Sequence, residues 1–167
     1  MLDAIRNRRS IRKYQDKPIS TEKLEILVRA AMQAPSARNT QPWEFVITQD
    51  KDIMNRIPDF HPYAGMVPSA GAVILVCGNR ELQEEIGYIL EDCSAATQNI
   101  LIEAVNQNLG AVWLGVYPRE DRIQGMTNLF SLPGHIVPIA LVSLGFPGET
   151  KEFEDRFTRE KIHKDCW

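Results

Sequence analysis

The sequence predicts an α+β domain, and three observations carry that expectation. Apolar residues recur at helical spacing over residues 21–34 and 84–109, while short β-branched or aromatic runs stand at 43–48, 72–77, 111–117 and 136–144. In order these give helix, helix, strand, strand, long helix, strand, helix, strand and a charged arm. A doubly wound sheet would alternate strand and helix regularly, and this order does not.

Each element has a local reason. A short first helix would carry Leu2 and Ile5 toward a core. In the second, Leu24, Leu27, Val28, Ala31 and Met32 fall on one face, with Ser20 or Thr21 as its cap and Pro35 as its stop. The runs WEFVIT and AVILVC read as strands, the latter bounded by Gly71 and Gly78. From Glu84 to Leu109 a wide apolar face includes Ile86, Ile89, Cys93, Ala96, Ile100 and Ala104, and Gly110 follows as a stop. About 25 helical residues span nearly 40 Å, so part of this helix is expected to pack against a second subunit. The run AVWLGVY reads as a third strand, Pro118 as the first position of a helix with Ile123, Met126, Leu129 and Phe130, and IVPIALVSL as a fourth strand. Pro138 places that strand at a sheet edge or a bulge.

The chain of 167 residues is read as one domain, 1–167, with residues 148–167 as a C-terminal arm. Charged residues are 25% and hydrophobic residues 44%, an ordinary globular balance. Asp3, Arg6, Arg8 and Arg9 precede any apolar run, and the longest such run is too short to span a bilayer, so neither signal peptide nor membrane anchor is expected and the cytoplasm is the default. Cys77, Cys93 and Cys166 lack C-x-x-C spacing, which argues against a disulfide framework or a metal site. The arm, KEFEDRFTREKIHKDCW, carries Phe153, Phe157, Ile162 and Trp167, too many large apolar groups for a free tail, and is expected to dock.

The segment RRSIRKY, Arg8 to Tyr14, has four cations in seven positions although the net charge is −3. A solvated helix end is one reading. A nucleic-acid arm is a second, weakened by the shortness of the run, a pI of about 5.6 and the absence of an interleaved aromatic platform. The third is a pocket for one phosphate monoester, since arginine forks pair bidentately with phosphate oxygens and Ser10 adds a hydroxyl. Neither a Rossmann nor a P-loop glycine signature is present. The loop PSARNTQPW, between a helix end and a strand, presents Ser36, Arg38, Asn39, Thr40 and Gln41 to a ligand or simply forms a turn.

These two motifs together resemble the nitroreductase family of FMN-dependent oxidoreductases. The resemblance extends through the long helix ending in Leu109-Gly110, the segment AVWLG, the strand VPIALVSLGFP, Arg156 and the ending RFTREKIHKDCW. It implies a sandwich with a mainly antiparallel central sheet flanked by helices, and a homodimer with FMN at the subunit interface. The long helix would form much of that interface, and the arm would exchange with the partner. By position, Arg8, Arg9 and Ser10 would neighbour the FMN phosphate, Arg12 the ribityl chain and pyrimidine end, and Arg156 would return to the phosphate. Pro35, Ser36, Ala37, Asn39 and Gln41 belong to the cofactor-binding set as the ring and ribityl wall from the partner, and the backbone at Leu114 and Gly115 would approach the flavin edge.

The chain departs from the family pattern twice. Glu154 stands where many members carry lysine, and FHPYAGMVPS offers no match to the Asn and Lys of longer members, which points to the compact branch with an open pocket. The implied activity is hydride transfer from NADH or NADPH through FMN to a small acceptor: a nitro compound, quinone or activated alkene. A reductive dehalogenase, a specialised biosynthetic oxidase or a flavin carrier without turnover would use the same site. No side chain is assigned as acid, base or nucleophile, because the flavin carries the chemistry. Ser36, Tyr14, Tyr117 and His135 all have structural explanations.

Overall fold

A computed structural model describes residues 1–167. The elements are α1 (Asp3–Asn7), α2 (Thr21–Ala31), β1 (Trp43–Thr48), α3 (Lys51–Arg56), β2 (Ala72–Asn79), α4 (Ile86–Asn106), β3 (Gly110–Gly115), α5 (Glu120–Phe130) and β4 (Ile136–Gly145), joined by short 3-10 turns. The four strands form one sheet in the order β1-β2-β4-β3, antiparallel at every pairing. The predicted α+β class and antiparallel sheet are therefore what the chain forms.

Alternation along β2 explains its unbroken apolar run. Ala72, Ile74 and Val76 face one layer with α2 and α4, while Val73, Leu75 and Cys77 face the other, where Met54, Ile57 and Met126 pack. A strand covered on both faces has no polar side to display. Each large aliphatic side chain fully buried here, such as Leu27, Ile74 or Ile100, contributes roughly 1.5–3 kcal/mol. Helix α2 is capped as expected, the Ser20 hydroxyl accepting from the Lys23 amide. It ends at Ala31 rather than reaching Pro35.

Of the two expectations about proline, the structure decides one and corrects the other. Strand β4 lies inside the sheet between β2 and β3, so Pro138 does not mark an edge. Its missing N–H falls at a bulge: Val76 pairs with Ala140 but Cys77 with Pro138, which leaves Ile139 as the extra residue. The Ile139 carbonyl accepts from both Val116 (3.2 Å) and Tyr117 (3.1 Å) and so ends β3 early, at Gly115. Pro118 does not open α5 either, since Arg119 is the cap and Glu120 the first helical residue. Helix α3 escapes sequence reading because its six residues bury only Met54; Asp50 caps it.

The N-terminal segment fastens to the β3–β4 edge. Ile11 donates its amide to Ala111, and Gln15 donates to Phe146. The Tyr14 hydroxyl lies 2.9 Å from the Ile11 carbonyl and 3.0 Å from Ser143 Oγ. Burial pushes this hydroxyl up to about 12, so it stays protonated as a donor. The Tyr14 ring rests on Gly145, where an added Cβ would come within 2.6 Å of it. Gly145→Ala is expected to destabilise the fold by about 1–3 kcal/mol through forced displacement of that ring, measured by denaturant unfolding. An unchanged midpoint would mean that the ring gives way freely.

Candidate functional site

The clamp at Tyr14 sets where the basic segment points. Arg8, Arg9, Ser10 and Arg12 leave the sheet edge beside the start of the arm, and Lys151, Glu152, Glu154 and Arg156 complete the wall of a cavity of about 350 Å³, five cations against two acidic residues. The arm is tied down on the same side. The Glu149 carboxylate accepts the amides of Arg12 (2.6 Å) and Lys13 (3.3 Å), which hold its pKa below the usual carboxylate range. Arg9 Nε donates to the Glu152 carbonyl at 2.8 Å, and the Phe153 ring lies 5.1 Å from the Arg6 guanidinium and 5.5 Å from that of Arg9.

This cavity concentrates positive charge. Partial burial, then the neighbouring Arg156 and Arg9, lower the Arg8 pKa from its ordinary value, a signature of cations crowded together. Arg9 Nη2 is buried without a partner. Glu154, noted in the sequence as a departure from the family's lysine, pairs with Arg156 at 3.5 Å. Lys151, which the sequence reading passed over, lines the cavity and donates to the Ser10 carbonyl.

Arg12 also borders a second cavity, of about 400 Å³, that contains Leu114 and Gly115. Its other walls include His61, Tyr63, Trp113 and Arg122, none of them anticipated from sequence. The Gly115 carbonyl gathers this wall: His61 Nε2 lies 3.0 Å away and Arg122 Nη1 donates at 2.7 Å. His61 is 1% exposed, and its Nδ1 has no partner. Burial lowers its pKa below the usual imidazole value, so the ring is neutral, with Nε2–H donating. The only local signal was His61 within FHPYAG; Arg122 reads as an ordinary exposed helix residue.

The loop at residues 35–41 borders neither cavity. It is pinned to the N-terminal part of α4 instead, where Asp92 Oδ1 accepts the Ala37 amide at 3.0 Å. Within it Ser36 Oγ accepts the Gln41 amide, and Arg38, Asn39 and Gln41 all have positive φ. Three left-handed residues in four positions make a shaped, strained loop rather than a plain turn. The cationic side of the molecule meets α4 near Leu101 and Val105. At about 1.5 Å per residue, Asp92 and Val105 are some 20 Å apart. One chain thus holds its basic cluster and its polar loop toward opposite ends of the same helix.

The Nitroreductase family matches the chain over residues 5–86 and 61–146. A protein of Methanothermobacter thermautotrophicus, provisionally named an NADH dehydrogenase/NAD(P)H nitroreductase, is 43% identical over 167 residues, covering 100% of this chain and 87% of its own. A Parabacteroides distasonis structure bearing the same provisional name superposes with a TM-score of 0.95 at 38% identity, covering 99% of this chain and 97% of that one. A provisionally named nitroreductase from Desulfovibrio desulfuricans, solved with FMN, gives 0.86 at 30% identity, with coverage of 99% and 96%.

The lowered His61 pKa has a consequence for stability. Above about pH 6.5 the ring is neutral in both folded and unfolded chains, but below it the unfolded chain takes up the proton first and stability is lost. His61→Gln keeps a donor for the Gly115 carbonyl and removes this titration. Its denaturation midpoint is expected to fall less between pH 7 and pH 5 than the wild-type midpoint. Equal losses would contradict the assignment of His61 as a buried neutral ring.

Proposed function

The chain belongs to the nitroreductase family, and on that footing we propose that it binds FMN and oxidises NADH or NADPH at the expense of a small acceptor. One observation carries this reading: Arg8, Arg9, Arg12, Lys151 and Arg156 converge with Ser10 on one cavity, and Arg12 joins it to a second cavity at Gly115. A phosphate dianion fits the first. It would meet several guanidinium donors, including the orphaned Arg9 Nη2, and would offset the repulsion from Arg156 and Arg9 that adds to burial in lowering the Arg8 pKa. The isoalloxazine edge fits beside Leu114 and Gly115, with Arg12 between the two ends.

When bound, FMN supplies reversible hydride chemistry between the nicotinamide and the acceptor. The protein's part is to bind, orient and tune. Arg12 favours negative charge at the pyrimidine end, His61 and Arg122 fix the Gly115 carbonyl, and the strained 35–41 loop offers a preformed polar wall. Acceptors with a low-lying vacant orbital suit such a site, and these are nitro compounds, quinones and activated alkenes.

The working unit is a homodimer. Pro35, Ser36, Ala37, Asn39 and Gln41 border neither cavity of their own chain, but a partner's loop would close the site. The arm supports the same reading: Phe153, Phe157, Ile162 and Trp167 are 46%, 68%, 59% and 98% exposed in the single chain, an apolar display that a neighbouring subunit would cover.

The purified protein is expected to be yellow or to take up FMN, and to bleach anaerobically with NADH or NADPH. A colourless protein that takes up no FMN would refute the proposal. Arg8→Ala is expected to weaken FMN retention by roughly 1.5–3 kcal/mol with little change in unfolding, as measured by fluorescence titration; unchanged affinity would remove Arg8 from the site. Truncation after Pro147 is expected to cost dimerisation or FMN binding, read by light scattering and absorbance. A truncated protein that stayed dimeric and yellow would show the arm to be dispensable.

A further inference from the structure

The cavity at Gly115 has a chemical character of its own. No carboxylate lines it, while Arg12 and Arg122 do. Arg122 takes part in none of the ion pairs of the chain. Its Nη1 is spent on the Gly115 carbonyl and its Nε is buried without a partner. The Tyr63 ring lies 5.4 Å from its guanidinium carbon, and Tyr63 is itself 69% exposed. Trp113 and Met66 add apolar surface to the wall. Such a cavity offers a flat, partly apolar bed edged by uncompensated positive charge.

We propose that this cavity selects planar acceptors bearing a negative charge, such as aromatic carboxylates, with Arg122 as the specificity-determining cation. The inference rests on the FMN oxidoreductase reading above and deepens it to a substrate class. An aromatic body lies against Tyr63 and Trp113, and its carboxylate meets the Arg122 edge, where a charge-assisted hydrogen bond replaces one unmade in the free protein. The same charge works against the oxidised donor. Oxidised nicotinamide is cationic, so the two arginines disfavour its retention and clear the cavity for the acceptor.

A matched pair of acceptors tests this. 4-Nitrobenzoate and 4-nitrobenzamide have nearly the same shape and differ in charge, and each turnover balances in the same way. A hydride from NAD(P)H and a proton from the buffered solvent convert the nitro group to nitroso, one N–O bond breaking so that its oxygen leaves as water, and NAD(P)⁺ is formed. With the FMN-loaded dimer, kcat/KM for each is measured at several ionic strengths, in wild type and in Arg122→Gln and Arg122→Lys. The expected results are a wild-type preference for the benzoate that declines with added salt, and a benzoate-to-benzamide ratio that drops about tenfold in Arg122→Gln and is partly restored in Arg122→Lys.

A wild-type enzyme that turns over both compounds with no salt-sensitive preference overturns this inference alone and leaves the oxidoreductase standing. Failure to bind FMN or to consume NAD(P)H with either compound overturns both. An equal loss for the two acceptors in Arg122→Gln, or an effect confined to FMN retention or to the KM of NAD(P)H, places Arg122 on the flavin or the donor and also overturns the proposal. If Arg122→Gln fails to fold, the wild-type preference and its salt dependence decide the matter.

Discussion

The fastening of the Ser10 to Gln15 segment along the β3–β4 edge is the constraint from which the site follows. Ser10 pairs beside Ala111, Tyr14 pairs with Pro147, and the Tyr14 hydroxyl reaches Ser143 inside the sheet. Because β4 runs directly into the arm, the same edge holds the basic segment and the first residues of the arm side by side. Gly148 donates to the Lys13 carbonyl and Glu149 takes the amides of Arg12 and Lys13. Residues more than 130 positions apart, Arg12 and Glu149 among them, thus become neighbours through hydrogen bonds from backbone amides rather than through pairing of their charged side chains.

That division of labour resolves the charge puzzle. Like charges do not assemble spontaneously, and crowding Arg8, Arg9 and Arg156 carries a cost, which adds to that of burial in lowering the Arg8 pKa. Backbone pairing, Tyr14 burial and the Glu149 carboxylate offset it in the free protein. A bound dianion would remove it. The cluster is local, so a chain of net charge −3 accommodates it without becoming a basic protein.

Much of this was legible in the sequence where a local period or motif carried it. The α2 and α4 faces, the runs that became β1 to β4, and the cluster of Arg8, Arg9, Ser10 and Arg12 are of that kind, whereas Arg156 was joined to that cluster only through the family resemblance. Pro138 left two readings open because an absent N–H is tolerated at a bulge as well as at an edge, and only the register with β2 separates the two. Lys151 escaped because its role depends on where the arm lies. His61 and Arg122 escaped because they come from separate segments and meet only at the Gly115 carbonyl, so no spacing announces them. The Glu154 departure was visible, but not that Lys151 would stand in the same cavity.

The proposed site is shared: cations from one chain, the strained loop from its partner, because Asp92 anchors that loop away from its own chain's cluster. Co-expression of two defective chains tests this most directly. One carries Arg8→Ala with Arg156→Ala, the other Ala37→Phe in the loop, and FMN bound per mixed dimer is measured. A shared site places both defects together and leaves the other site intact, so the mixed dimer should bind one FMN tightly while each parent homodimer binds none. A mixed dimer that also binds none would contradict it, since each chain would then hold a whole site of its own.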